Sequence, residues 1–194
     1  MKRLIINTLL VSLGIASASA QRPVKFTFAG TGGASAIDLK QPNTSTVEED
    51  VAGRGSLGMF TFRGVRAAAK APGVSGTCTG LFFPSVSGAA LMRFQDGSVM
   101  TLNLTGGGDC IDLVHMVGNC TLTFKITGGT GRFKTASGVL TYTELAVPLA
   151  GDGTNPVFFS ETGDITGTIS GVDNAENSQD GQQPDESSPT ARPR

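Results

Sequence analysis

The chain predicts an all-β protein of antiparallel strands, arranged as a barrel or a sandwich, and three observations carry that reading. Cys120, Leu122, Phe124 and Ile126 alternate with Thr121, Thr123, Lys125 and Thr127, the period of a strand with one buried face and one wet face. The 194 residues include 27 glycines and no tryptophan, and threonine and serine are frequent, which suits strands joined by tight turns. No segment carries the apolar period of a convincing amphipathic helix, and no strand–helix–strand alternation occurs.

Taken in chain order, the first element is a leader. Lys2 and Arg3 supply positive charge, Leu4 to Ile15 is almost wholly apolar, and Ala18-Ser19-Ala20 offers small residues to a peptidase, so residues 1–20 read as a secretory signal cleaved before Gln21. The apolar run falls short of the roughly 20 residues that a bilayer core requires. With no Cys just after the cleavage point, a lipid anchor there lacks its attachment atom, and a secreted or periplasmic protein without a stable membrane anchor is expected. The three Asn-x-Ser/Thr sequons, at Asn43, Asn103 and Asn119, are expected to stay unused because the leader reads as bacterial.

In the exported part, residues 21–171 read as one β domain. Val24, Phe26 and Phe28 alternate with Lys25 and Thr27 and begin the first strand. Residues 41–58 mix Pro, Asn, Thr, acids and Gly without either period and read as a long exposed loop. Met59, Phe60 and Phe62 then resume a strand over Gly58 to Val65.

Leu91 to Leu102 reads as a hairpin with Asp96-Gly97 at its tip. A two-residue turn would pair Arg93 with Met100 and set a charge among apolar neighbours. A three-residue loop of Gln95, Asp96 and Gly97 instead pairs Phe94 with Ser98, Met92 with Met100 and Ala90 with Leu102, and it puts Gly97 where a positive φ is wanted. The second register is expected. After the Cys120–Ile126 strand, Gly128 to Gly131 break the chain, Gly138 to Ala146 form the next strand, and Val157–Phe159 with Asp164–Ser170 finish the sheet. Residues 172–194 are polar with almost nothing apolar to bury and read as a disordered tail.

Periodicity alone does not separate barrel from sandwich. The segment Phe124-Lys-Ile-Thr-Gly-Gly-Thr-Gly-Arg-Phe-Lys-Thr-Ala-Ser-Gly138, followed by a Thr-rich strand, resembles the GTGRF-x-x-A-S-G segment of the allene oxide cyclase and dirigent superfamily, in its bacterial secreted branch. The resemblance runs in pattern from Gly80 to Gly171 and in distinctive residues from Ile126 to Gly138. It implies an eight-stranded, antiparallel, calycin-like barrel. Gly128, Gly129, Thr130, Gly131, Arg132, Phe133 and Gly138 would then form the family's turn, with Phe133 packed against the barrel. The plant enzymes cyclise an unstable fatty-acid epoxide, and dirigent proteins steer phenoxy-radical coupling in the lumen. The shared motif carries fold rather than activity, and no catalytic residue transfers with it.

The same Gly-rich turn is not a phosphate loop. Counting from Gly128 puts Phe133 where the second Gly of G-x-x-x-x-G-K-[ST] belongs, and the segment leads into a strand rather than a helix. Net charge is −1 with no basic cluster in the mature chain, so no nucleic-acid partner is expected.

His115 is the only histidine, which excludes a multi-His zinc site, and Cys78, Cys110 and Cys120 lack a C-x-x-C spacing; no metal or cofactor is expected. If Ile111, Leu113 and His115 share a strand face, the imidazole points inward, where Asp109 or Tyr142 would orient it as a general base. A hydrogen-bonded structural histidine is the competing reading. Three cysteines allow three single pairings, and the short intervening loop favours Cys110 with Cys120. Cys78 is then a buried thiol or a link to another chain, which would make an oligomer.

Three functions fit these readings: a barrel holding a small apolar molecule, an isomerase or cyclase moving a proton in the lumen, and a filled barrel acting through its surface.

Overall fold

Eight consecutive strands turn alternating side chains toward a shared interior for most of their length, and pairing of the last strand with the first closes the sheet. The computed structural model describes residues 21–38, 41–151 and 156–173. The expected leader at 1–20, and the tail from 174 onward, lie outside the described residues. The strands are β1 (Arg22–Ser35), β2 (Thr44–Gly55), β3 (Gly58–Ala69), β4 (Leu81–Phe94), β5 (Val99–Asp112), β6 (Val117–Gly129), β7 (Ser137–Gly151) and β8 (Pro156–Ser170). Each pairs antiparallel with the next, and β8 pairs with β1, so the sheet is a closed barrel whose spatial order is its sequence order. Closure removes the sandwich alternative and leaves no unpaired edge.

The expected three-residue hairpin is present. Met92 pairs with Met100 and Ala90 with Leu102 across β4 and β5. The Phe94 amide donates to the Ser98 carbonyl at 2.9 Å, the Gly97 amide donates to the Phe94 carbonyl at 2.9 Å, and Gly97 has φ +80°. Phe94 and Met92 therefore point inward while Arg93 reaches solvent. In β6, Cys120, Leu122, Phe124 and Ile126 are buried as their alternation requires.

Two expectations need correction. The stretch 41–58 is not a long loop: β2 runs through it and is paired on both sides. Its inward row is Val47, Glu49, Val51 and Gly53, so a carboxylate and a glycine interrupt the apolar signal that would have marked a strand. The cysteines pair Cys78 with Cys110, and Cys120 is a buried free thiol. On adjacent β5 and β6, Cys110 stands opposite Asn119 and Cys120 opposite Asp109, so alternation sends the two sulfur atoms to opposite faces of the wall. Of the expected tail only Val172 and Asp173 are described: Val172 packs on the core, and the Asp173 amide donates to the Arg132 carbonyl at 3.0 Å.

One end of the barrel is sealed by the turn between β6 and β7. A single 3-10 turn, Gly131–Phe133, drops Phe133 into the barrel end, where its ring lies 4.7 Å from that of Phe94. Phe26 and Phe60 meet edge to face beside Phe94, with ring centroids 5.2 Å apart. Arg132 lies over both Phe94 and Phe133 and donates from Nη2 to the Leu57 carbonyl at 2.6 Å, tying this plug to the β2–β3 turn. Gly131 has φ +57°, and a Cβ there would collide with the Ser98 side chain, so the tight entry into the plug requires glycine. Phe133 is fully buried in that end.

Candidate functional site

The inward rows change character along the barrel. From the plug upward they are aromatic and aliphatic until Tyr142, which is fully buried and stacked between Phe28 at 4.6 Å and Phe62 at 5.1 Å. Above that ring the interior turns polar. Cross-strand pairing places Asp109 beside Cys120 and Cys120 beside Glu144, while Glu49 and Arg66 come from β2 and β3 and Glu161 from β8. Residues paired across a ladder share a face, so the strand phase that buries Leu122 and Tyr142 also carries these groups inside.

Arg66 organises one side of this chamber. Its Nε donates to Glu49 Oε1 at 2.7 Å. Its Nη1 donates to Asp109 Oδ2 at 2.8 Å and to Ser85 Oγ at 3.1 Å, and its Nη2 donates to Asp109 Oδ1 at 2.8 Å and approaches Cys120 Sγ at 3.9 Å. All five N–H groups of the guanidinium are thereby engaged. Burial works against the charge of Arg66, but Asp109, Cys120 and Glu49 together hold it protonated well above the ordinary arginine range. Burial raises the Glu49 carboxyl despite the attraction of Arg66, and it pushes the Cys120 thiol well up, with the Asp109 charge adding to the effect. Cys120 is therefore a thiol and a poor nucleophile.

On the other side, the Tyr142 hydroxyl lies 2.7 Å from Glu144 Oε2 and 3.4 Å from Glu161 Oε2. Glu161 is 1 % exposed, and its Oε1 is buried with no hydrogen-bond partner among the described residues. Burial, with the charge of Glu49 next, pushes Glu144 up to about 7; burial, with Glu144 and Glu49 next, pushes Glu161 up to about 9. Burial also drives the Tyr142 hydroxyl above its ordinary range, the two glutamates adding to this. Gly32 makes room for this arrangement, since a Cβ there would strike both Glu161 Oε1 and the Phe159 ring.

The chamber opens through a cavity of about 290 Å3 at the barrel mouth. Its walls are apolar, among them Val47, Leu81, Phe83, Ile111, Ala146 and Phe159, and its charged lining is Arg66, Asp109 and Glu144. Leu113 and Met116, in the β5–β6 turn, form part of the rim.

Of the three catalytic candidates read from sequence, Asp109 and Tyr142 enter the lumen and His115 does not. Strand β5 ends at Asp112, so His115 falls in the exposed turn that follows, where its Nδ1 meets Asp112 Oδ2 at 2.7 Å. Asp109 is engaged by Arg66 rather than by an imidazole. Glu49, Arg66, Glu144 and Glu161 were not singled out from sequence. The signal was there: each stands in phase with an inward row, as in Leu140-Tyr142-Glu144, Phe60-Phe62-Gly64-Arg66 and Val47-Glu49-Val51.

Asp109, Cys120 and Glu144 present three donor atoms within 4.8 Å of one another. They do not suit a metal, because both oxygens of Asp109 already accept from a guanidinium and the thiol keeps its proton.

Fold and site together define a closed eight-stranded antiparallel barrel with an acidic inner chamber under an apolar mouth. No family model, curated protein or solved structure matches the chain.

Proposed function

We propose that this barrel binds a small, largely apolar molecule in its lumen. The observation that carries the reading is the mouth cavity, about 290 Å3 with apolar walls over a few convergent polar groups, the composition of a ligand pocket at the small end of the usual range. A barrel filled by its own side chains would have no such space. Binding needs no catalytic step.

Export is part of the proposal. The leader at residues 1–20 directs the chain to the periplasm or beyond, and the Cys78–Cys110 bridge suits an oxidising compartment. No helix among the described residues is long and apolar enough to cross a membrane. Membership of the allene oxide cyclase and dirigent superfamily draws support from the GTGRF turn and from the seat of Phe133 in the barrel end.

A second reading, an isomerase or cyclase, is favoured by one feature: Tyr142 lies between two glutamates whose carboxyls are pushed to different levels, and Glu144 lines the cavity. Native mass spectrometry of the protein purified from its own host tests the binding reading. An adduct that organic extraction removes, and that Ala146→Trp abolishes by filling the mouth, is expected. The same bare mass for both proteins would count against it.

A further inference from the structure

Resting on the binding reading above, we propose that the ligand carries one positively charged nitrogen, a protonated amine on an apolar body, with Glu144 as its counter-ion. Four carboxyl groups, those of Glu49, Asp109, Glu144 and Glu161, surround the chamber, and one guanidinium answers them. That guanidinium has no donor left for an incoming anion, since Glu49, Asp109, Ser85 and Cys120 occupy its five N–H groups. A carboxylate ligand would enter beside Asp109 and Glu144 with nothing to pair it, which is a strong exclusion in a buried site.

A cation meets the opposite situation. Glu144 lies on the cavity wall, accepts from Tyr142 through Oε2, and belongs to a cluster with more negative than positive groups. Glu161 is a further acidic group without compensation, its buried Oε1 having no hydrogen-bond partner among the described residues. The apolar walls take the body of the ligand and the floor takes its nitrogen.

Protons must then move in a defined direction. The groups facing Glu144 are Glu49 on β2, Arg66 on β3, Asp109 on β5, Cys120 on β6, Tyr142 on β7 and Glu161 on β8. An ammonium arriving among them favours ionised Glu144, so binding near neutral pH expels the proton that Glu144 holds when the site is empty. The ammonium keeps its own proton and no bond is made or broken in the ligand. Amine affinity therefore rises as pH increases through about 7.

Isothermal titration calorimetry with three ligands of one chain length, octylammonium, 1-octanol and octanoate, tests this on the intact chain. At pH 8 octylammonium is expected to bind at least tenfold tighter than 1-octanol, with octanoate weakest. Its advantage shrinks several-fold by pH 6. At pH 7 its apparent enthalpy varies with the ionisation enthalpy of the buffer, reporting proton release, while that of 1-octanol does not. In Glu144→Gln the amine and the alcohol bind alike; should that variant fail to fold, the buffer dependence of the wild type still decides. Equal binding of amine and alcohol, tighter binding of octanoate, or amine binding without proton release overturns the cation assignment while leaving an apolar pocket. Failure of all three to bind overturns the binding reading itself.

Discussion

Arg66 is the residue on which the interior depends most. It is 3 % exposed and holds Glu49 and Asp109 by direct bonds of 2.7 to 2.8 Å. Removing one partner of a buried ion pair leaves its counter-charges unpaired, so Arg66→Met is expected to lower stability by about 3–5 kcal/mol. The triple change Arg66→Met, Glu49→Leu, Asp109→Leu removes all the charges of that network and should recover much of the loss, a comparison that urea denaturation can make. Recognition at this scale was partial. Asp109 and Tyr142 are legible as lumen candidates, whereas His115 fits a general base by residue type alone, and the end of β5 at Asp112 leaves it outside. The charged lumen residues were overlooked because an isolated Arg or Glu in a strand reads as solvent-facing until its phase with the apolar row is counted.

Among the elements, the hairpin is readable because its local chemistry is satisfied by only one geometry. Arg93 and Met100 cannot share an inward face, and Gly97 takes the positive φ of the three-residue loop. Replacing Gly97 by Ala is expected to cost about 1 kcal/mol, since a Cβ meets no neighbour there and only the backbone conformation resists. Phe133→Ala should cost about 3–5 kcal/mol by emptying the sealed end, measurable as a lowered urea midpoint. Strand β2 was illegible for the reason that makes it useful: its inward positions hold Glu49 and Gly53, which serve the chamber and the close approach of β1 rather than apolar burial. The disulfide was misread because loop length ignores which face a strand residue occupies, and Cys110 and Cys120 belong to opposite faces.

For the whole molecule, the raised carboxyls make stability depend on pH with a definite sign. Glu144 and Glu161 keep their protons to about 7 and about 9, whereas in the unfolded chain both ionise near the ordinary glutamate value. Between that value and about 9 the folded state binds more protons than the unfolded one, so their contribution to stability falls as pH rises. The urea midpoint should therefore decline from pH 5 to pH 9, and Glu161→Gln should flatten the decline at its alkaline end. A midpoint that rises over this range would show that the glutamates are ionised in the folded barrel.

All of this follows from a lumen built in two halves, one packed with aromatic rings and sealed by Phe133, the other acidic and open. The direct test of that arrangement is NMR chemical-shift mapping during titration of the protein with octylammonium at pH 8. Ligand entry through the mouth predicts saturable shifts at Ile111, Gly118, Cys120, Glu144, Ala146 and Phe159, with the plug residues Arg132 and Phe133 unmoved. Shifts confined to outward-facing residues, or shifts that never saturate, would contradict it.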